Sequence, residues 1–579
     1  MPAAMPGQPL LPNDDTTVKL FSQQLHSAKA TIGAGPYLLV VLVLGGGVYA
    51  AEGSLLLMLS IIARGLVKKW DLDPLVATVM ATALLMGLLT GTISGGIACD
   101  SFGRRTPILV TYLGISVFTI VGILMPYVML LLLAKLLLGF CLGFGVPAAN
   151  AIVCESCPPN VRAIVYSLTQ VLFSMGQIYS ATIVWIMSPM LKVETMEWRG
   201  MLAVATLLPM LLFVLSYFWL LESPHWLLAN HKVSAARDVV RQIAHYKAES
   251  TRETVEEIEE LTSGMKTPYC TERVPWEPDI VDSENGDANE MTALVSQREK
   301  SMRAFLKQVS DQMLTDIWRV KLLFSPEYRL TTGIMAYVAF AANYAYYGMI
   351  YGTPDMMKAT IGEGGNWSPA AGVFFAALFE IPGTFLAILL GMTLGRRMNM
   401  AIAFCTTALM LTVVVYALAE PDPDRQNLGI AGVCAVKLCI TSGFIIVNLY
   451  LLECYPTKFR ATGLAFCMVT GRMGAFACPF MHDGLLLLGM SNMWFFACMA
   501  LLLLGASIGC MVLPYETKDE ELKDDAPPTF QTSPPVGSQM LGSWAKQAAG
   551  SAGSPPTDTV LGIPPTDTLR SGLFAPPPT

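Results

Sequence analysis

Long apolar runs are the feature of this sequence that most constrains its fold. Each run approaches the ~20 residues that a helix needs to cross the hydrocarbon core of a bilayer. The chain is 53% hydrophobic and 14% charged, with a mean hydropathy of +0.52, outside the balance of soluble domains. The sequence therefore predicts an all-α membrane protein with twelve transmembrane helices, at 36–63, 75–98, 106–125, 128–154, 162–187, 200–221, 328–351, 369–392, 398–419, 428–452, 460–487 and 493–513.

The runs fall into two groups of six, separated by a polar stretch. Apolar residues at helical spacing after residue 232 predict amphipathic helices at the start of this stretch, and the part rich in Asp, Glu, Asn and Pro predicts disorder. The tail is rich in Pro, Ser and Thr and should also be disordered. The predicted domains are an N-terminal segment (1–35), a first bundle (36–222), a central loop (223–327), a second bundle (328–518) and a tail (519–579). Protein partners for the loop and tail remain open.

Lysine and arginine are more frequent in the short loops on the side that holds both termini. This excess predicts cytoplasmic termini, in a plasma or vesicle membrane. No cleavable signal peptide is apparent, and the first helix is expected to act as its own insertion signal. The sequon Asn366-Trp367-Ser368 then lies between helices 7 and 8 on the outer side, so Asn366 is the predicted glycosylation site.

Several classes of activity find no support in the residue pattern. A net charge of −7 gives no indication of nucleic-acid binding. Most of the 13 cysteines lie in or beside apolar runs and are expected to behave as small hydrophobic residues. The pair Cys154 and Cys157 has the spacing of a metal or redox site, but no second pair accompanies it. No metal, cofactor, catalytic group or enzyme activity is predicted, and a monomer is expected.

The two groups of helices repeat one another in sequence. ESCPPNVR at 155–162 and ECYPTKFR at 453–460 share Glu, Pro and Arg at the same spacing. GGIACDSFGRR at 95–105 has a weaker counterpart in LGMTLGRRMNMA at 390–401, where Met392 takes the place of Asp100. Repeated halves are typical of transporters whose substrate site lies between the halves near the membrane midplane.

Several of these motifs resemble one family. GGIACDSFGRR resembles the GxxxDxxGRR loop of the major facilitator superfamily, and ESPHWLL at 222–228 and LPYETKDEEL at 513–522 resemble endings found in its sugar and organic-ion branches. The stretches 327–348, 379–397 and 451–479 are similar to proteins related to synaptic vesicle glycoprotein 2. The resemblance implies two pseudo-symmetric six-helix bundles that transport by alternating access. Gly145 stands where phosphate carriers of the superfamily have an acid, which disfavours phosphate as the substrate.

Five charged side chains lie at predicted membrane depth: Glu52, Lys135, Glu380, Lys437 and Arg472. Each costs about 2.5 to 3.5 kcal/mol on insertion scales, so each needs a partner or a task. Glu52 is the first candidate for proton coupling, because a carboxylate at low dielectric binds a proton more readily than one in water. The alternative is an ion pair with Lys135 or Arg472. Glu380 is either a second proton site or a structural partner, and the two lysines are candidates for the coupling path.

Arg472 is the main candidate for substrate binding. Its planar fork suits a carboxylate or sulfonate, although it could instead anchor helix 11 to an acid such as Glu380. Aromatic and amide side chains are the predicted remainder of the pocket, with helix packing as the alternative role. These side chains are Asn343, Tyr346, Tyr347, Gln177 and Asn448.

Charged residues and glycines at the cytoplasmic helix ends predict a gate. Ion pairs there would hold the two halves together while the cavity faces outward, and would part when it opens inward. The alternative, anchoring of loops by positive charge, accounts for the arginines but not for the acids. The predicted gate residues are Gly96, Asp100, Gly103, Arg104, Arg105, Glu155, Arg162, Glu222, Arg396, Arg397, Glu453, Arg460 and Glu516.

The predicted function is secondary active transport of a small organic solute by alternating access. An organic anion or aromatic carboxylate is the favoured substrate, and protons are the favoured coupling ion. One alternative is a facilitative or sodium-coupled carrier of a sugar or organic cation. The other is a non-transporting sensor or vesicle-membrane scaffold that keeps the transporter fold.

Overall fold

A computed structural model describes the predicted spans and the first part of the central loop. Asn366, most of the loop, the two terminal segments, and the side chains of Arg162 and Arg460 lie outside it, so the predictions for them are not addressed. The described residues are 36–73, 75–157, 162–192, 197–230, 232–245, 321, 323–361, 367–419, 423–455, 460–514 and 516–517.

Long helices occupy all twelve predicted positions, which confirms the predicted fold class. Eleven of them are long and apolar enough to span a membrane. The other, α7, has 33 residues but carries Asn343 and several tyrosines, which make it less apolar. The helices are α1 (Pro36–Val40, a π-helical turn Val41–Gly45, and Gly47–Lys69), α2 (Leu75–Phe102), α3 (Arg105–Leu124), α4 (Val128–Phe144 and Val146–Ser156), α5 (Arg162–Met187), α6 (Trp198–Trp219), α7 (Arg329–Ile361), α8 (Pro369–Leu378 and Glu380–Thr393), α9 (Arg396–Ala419), α10 (Pro423–Glu453), α11 (Arg460–Leu487) and α12 (Asn492–Val512).

Two short helices, Pro224–Ala229 and Val233–His245, follow α6. The second carries the apolar spacing noted in the central loop, and Ala236 and Val240 are buried on one side of it. An amphipathic helix therefore forms where the sequence predicts one, at the start of the loop.

The break in α8 places a charged side chain inside the bundle. Pro382 has no backbone N–H to donate to the carbonyl of Leu378, so the regular hydrogen-bond pattern is interrupted there. The second segment of α8 begins at Glu380, which is fully buried. A carboxylate in the first turn of a helix is favoured by the helix dipole.

Glycines allow α2 and α4 to pack closely. Gly87, Gly91 and Gly95 recur every four residues along one side of α2, and the α4 backbone at Phe140 and Phe144 occupies the space that side chains at Gly91 and Gly95 would need. Small residues at this spacing let helix backbones approach in a membrane, where van der Waals packing drives association. The close packing fixes the position of α4 in the first half.

Helices α1–α6 form the first half and α7–α12 the second. The halves meet mainly where α1 contacts α7, α2 contacts α11, and α5 contacts α8, and α5 also contacts α10. We call the end of the bundle with Arg104 and Arg396 the arginine end, and the opposite end, with His482, the histidine end. At the histidine end, the backbone N–H of Ala370 donates to the carbonyl of Pro189 across the halves at 3.2 Å.

Candidate functional site

Glu52 and Arg472 form an ion pair at the centre of the bundle. Arg472 Nη1 lies 3.2 Å from Glu52 Oε1, so the pair joins α1 of the first half to α11 of the second. Tyr347 Oη donates to the same carboxylate oxygen at 3.0 Å and accepts a hydrogen bond from Arg472. Glu52 Oε2 is buried and has no hydrogen-bond partner among the described residues. Glu52 thus pairs with Arg472, one of the two partners that the sequence left open.

Glu380 and Lys437 form a second buried ion pair, with Lys437 Nζ 2.6 Å from Glu380 Oε1. Gln177 Nε2 donates to both carboxylate oxygens, at 2.9 and 2.8 Å. Ser174 and Tyr346 each donate to Oε2 at 3.0 Å. Because Gln177 and Ser174 belong to α5, this cluster also joins the two halves.

A cavity lies beside the Glu52–Arg472 pair and extends toward the arginine end. Of the predicted substrate and coupling residues, it is lined by Arg472, Asn343, Tyr346, Tyr347, Asn448 and Glu52. The placement of Gln177 differs from the expectation. It is not among the lining residues, because its amide is engaged by Glu380 and Lys437 instead.

Sequence reasoning missed part of the cavity wall, including Tyr49, Tyr166 and Gln170. Tyr49 lies three residues before Glu52, and residues at that spacing share a helix face, so this signal was available in the sequence. Its hydroxyl donates to Asn150 Oδ1 at 2.8 Å, which fixes the ring at the wall. No comparable local signal points to Tyr166, because α5 is brought to the cavity by packing between helices.

The predicted gate residues of the first half come together at the arginine end. Arg104 Nε and Nη2 donate to Glu155 Oε1 at 3.2 and 3.0 Å. Glu222 accepts the backbone N–H groups of Arg104 and Arg105, at 2.7 and 3.1 Å. Gly103 has a φ of +93°, a conformation that glycine adopts without strain. Burial acts to lower the pKa of Arg104, but Glu155 and other neighbours raise it and the net shift is upward, so the guanidinium stays charged.

The second half repeats this arrangement. Arg396 Nε lies 3.3 Å from Glu453 Oε2. Glu516 accepts the backbone N–H groups of Arg396 and Arg397, at 2.6 and 3.1 Å. Thr517 Oγ1 donates to Glu453 at 2.7 Å, as Ser223 does to Glu155 in the first half. The stretch 390–401, which repeats 95–105 only weakly in sequence, therefore belongs to a complete second cluster.

The ion pairs described at the arginine end lie within each half. Pairs between the halves are predicted for a conformation whose cavity faces outward, so that part of the gate stays a prediction. Asp100 has a 66% exposed side chain 3.6 Å from Arg104, and Glu155 is the closer partner of Arg104. Gly96 is not needed for a close helix contact in the described part of the chain, because a Cβ at this position would have no atom within 4 Å.

A polar cluster at the histidine end was not identified from the sequence. Asp483 of α11 accepts hydrogen bonds from Thr78 of α2, at 2.6 Å, and from Tyr351 of α7, at 2.7 Å. The buried His482 lies 2.7 Å from Asp483 and 4.0 Å from Asp355. The cluster therefore joins the halves at this end. No group of three or more His, Cys, Asp or Glu in the described part of the chain is arranged to hold a metal ion.

Comparisons with known proteins agree with this architecture. A family profile described as sugar (and other) transporter matches residues 50–278 and 280–525. The chain is 24% identical to organic cation/carnitine transporter 7 of Arabidopsis thaliana, over 86% of this chain and 96% of that protein. It is 23% identical to the synaptic vesicle 2-related protein of Xenopus laevis, over 89% of this chain and 84% of that protein.

The fold is similar to that of the xylose transporter XylE from E. coli in a partially occluded inward-open conformation. The TM-score is 0.58 and the identity 15%, over 84% of this chain and 100% of that one. Together with the family match over most of the chain, the comparisons confirm the predicted superfamily and its organic-ion-transporter-like branch. The chain belongs to the sugar (and other) transporter family of the major facilitator superfamily.

Proposed function

We propose that this protein carries a small organic anion across the membrane together with a proton, by alternating access. The observation that carries the proposal is the ion pair between Glu52 and Arg472, which crosses from one half to the other beside the central cavity. A charge pair in this position makes the contact between the halves depend on what occupies the cavity. A ligand that replaces one partner therefore favours one conformation over another.

Arg472 is proposed to exchange partners during transport. Its guanidinium can hold a carboxylate by two parallel hydrogen bonds, but here Glu52 and Tyr347 occupy Nη1. A proton added to Glu52 removes the negative charge that holds Arg472. The arginine is then able to bind the carboxylate of a solute. Proton and anion enter together, and the net charge of the loaded site equals that of the unloaded one.

The cavity wall favours a solute that is partly aromatic. Phe173, Phe444 and Tyr166 supply aromatic surface, and Asn343 and Asn448 add amide groups. A mostly apolar cavity with a few polar groups is typical of sites for small organic ligands. An aromatic carboxylate matches both the wall and Arg472.

Glu380 is proposed to anchor the structure rather than carry the proton. Its carboxylate accepts hydrogen bonds from Lys437, Gln177, Ser174 and Tyr346. Protonation would break several of these contacts, whereas Glu52 has an oxygen with no described partner. We therefore assign proton coupling to Glu52.

The arginine end is proposed to face the cytoplasm, as the distribution of Lys and Arg in the loops predicts. The halves are in contact at the histidine end, and the cavity extends toward the arginine end. On this assignment the described conformation faces inward. Closure of the arginine end would complete the transport cycle, and the residues of the two arginine clusters are its proposed gate.

Uptake by proteoliposomes tests the proposal. Radiolabelled benzoate should accumulate when an inward proton gradient is imposed, and little should accumulate without the gradient. Glu52→Gln should abolish gradient-driven accumulation and preserve benzoate exchange. Asp238→Asn, which alters an exposed acid outside the bundle, is the matched control and should behave as the wild type. Benzoate uptake unaffected by the gradient, or by Glu52→Gln, would contradict the proposal.

An organic cation is the second candidate substrate. Glu52 Oε2, which has no described partner, lies beside aromatic rings, and both favour an organic cation because both attract a positive charge. The name of the Arabidopsis relative also refers to organic cations. Uptake of tetraethylammonium in the same vesicles, without uptake of benzoate, would select this candidate. Solute binding without flux under any gradient would instead favour a non-transporting sensor or scaffold.

A further inference from the structure

A second cavity lies on the other side of the Glu52–Arg472 pair, toward the histidine end. It lies among α1, α2, α4, α7 and α11. Apolar side chains such as Leu56, Leu84 and Ile350 form most of its wall. Tyr347 contributes to the walls of both cavities. We call this second space the outer cavity.

Lys135 is the basic residue in the described wall of the outer cavity. It lies in α4, is 4% exposed, and has no hydrogen bond or ion pair with any residue that the structure describes. The other polar groups of the wall already have partners. Ser60 donates to the carbonyl of Leu57 at 2.8 Å, and Tyr351 donates to Asp483 at 2.7 Å. In its protonated form, Lys135 thus brings three donors to a cavity whose described wall contains no acid.

A buried cation without a partner is unfavourable at membrane depth. The central acids do not relieve this cost, because Glu52 is paired with Arg472 and Glu380 with Lys437. An anion in the outer cavity would supply the missing charge. The apolar wall would then contact the uncharged part of that anion.

We propose that the outer cavity is an anion-binding site, with Lys135 holding the carboxylate of a compact apolar monocarboxylate. One cation and an apolar wall suit a ligand with one charged end and a hydrocarbon body. A phosphate or a dicarboxylate would bring further charged oxygens that the described wall leaves without donors. The inference concerns binding and stands whether or not the protein transports anions.

Ligand-dependent melting of the full-length protein in lipid nanodiscs tests the site. Butyrate is the probe, and butyramide and butylammonium are matched probes without the negative charge. Butyrate should raise the melting temperature in a saturable manner, and the other two should not. Lys135→Met should raise the half-saturating butyrate concentration at least tenfold, and Lys135→Arg should largely restore it.

A central-site variant separates this site from the one proposed for transport. Glu52→Gln combined with Arg472→Met removes both charges of the central pair and should leave the butyrate effect on melting intact. Misfolding is not expected for Lys135→Met, because the substitution replaces an unpaired buried charge with an apolar side chain of similar length. Equal effects of butyrate on the wild type and Lys135→Met would overturn the proposal. So would loss of the effect only in the central-site variant, equal stabilisation by butyramide, or no stabilisation of the wild type.

Discussion

Glu52 and Glu380 are both buried acids that link the two halves, but their carboxylates have different surroundings. Glu380 is paired with Lys437 and accepts hydrogen bonds from three other side chains on both of its oxygens. Glu52 uses one oxygen for Arg472 and Tyr347, and its other oxygen has no described partner. The basic side chains of the two pairs also differ in exposure: that of Arg472 is 14% exposed and that of Lys437 is 3% exposed.

This difference separates a pair that holds the structure together from a pair that can exchange partners. A buried ion pair is maintained by the hydrogen bonds that complete it, and removal of one partner leaves an uncompensated charge. Glu380 has such a complete set. The Glu52–Arg472 pair lies at the cavity wall, where a proton or a solute group can replace either partner. Substitutions in and around the two pairs test this distinction.

The largest effect is expected for Lys437→Met. Glu380 would remain buried without its counter-ion, at a cost of about 3 to 5 kcal/mol. The melting temperature of purified protein should fall sharply, or the protein should fail to accumulate in a folded form. Lys437→Met combined with Glu380→Gln should recover most of the loss, and a failure to recover would indicate a role for Lys437 beyond neutralising Glu380.

Glu52→Gln should cost less, about 1.5 to 3 kcal/mol, the range for a hydrogen bond to a charged group. Arg472 keeps its contact with Tyr347 and lines the cavity, so its charge is less completely desolvated than that of Lys437. Glu380→Gln is the matched comparison and should lower the melting temperature more. Equal shifts for the two variants would break the distinction between the pairs.

Tyr347→Phe and Tyr346→Phe compare the tyrosine donors of the two acids. Tyr347→Phe should cost about 1 kcal/mol, because Glu52 is left with Arg472 as its described partner. Tyr346→Phe should cost about half as much, since Glu380 keeps Lys437, Gln177 and Ser174. Melting curves measured side by side check the order, and a larger loss for Tyr346→Phe would reverse the assignment of roles.

A similarly small effect on stability, about 0.5 to 1 kcal/mol, is expected for Thr78→Val, because one hydrogen bond to Asp483 is lost. Fewer contacts at the histidine end should shift the population about two- to fivefold toward conformations open at that end. Labelling of a cysteine introduced near this end should become faster. Thr90→Val is a control, because the Thr90 hydroxyl donates to carbonyls of its own helix. Equal labelling rates in Thr78→Val and Thr90→Val would argue against a gate at the histidine end.

The two arginine clusters illustrate how far local sequence comparison can reach. The sequence predicts all six residues as members of one gate, with a weaker repeat at 390–401. These residues are Arg104, Glu155, Glu222, Arg396, Glu453 and Glu516. The structure builds both groups with the same contacts, because the main acids come from the ends of α4 and α10 and from the segments after α6 and α12. Met392 takes the place that Asp100 has in the first half, and the second cluster forms without an acid at that position.

The sequence by itself determined the twelve helices, the division into halves and the burial of five charges. These properties follow from apolar length and from backbone hydrogen bonds that are satisfied within each helix. Tertiary structure alone decided that Arg472 pairs with Glu52, that Gln177 serves Glu380, and that Lys135 faces a cavity without a described partner. Such pairings join side chains far apart in the chain, so they depend on how helices pack rather than on any local pattern.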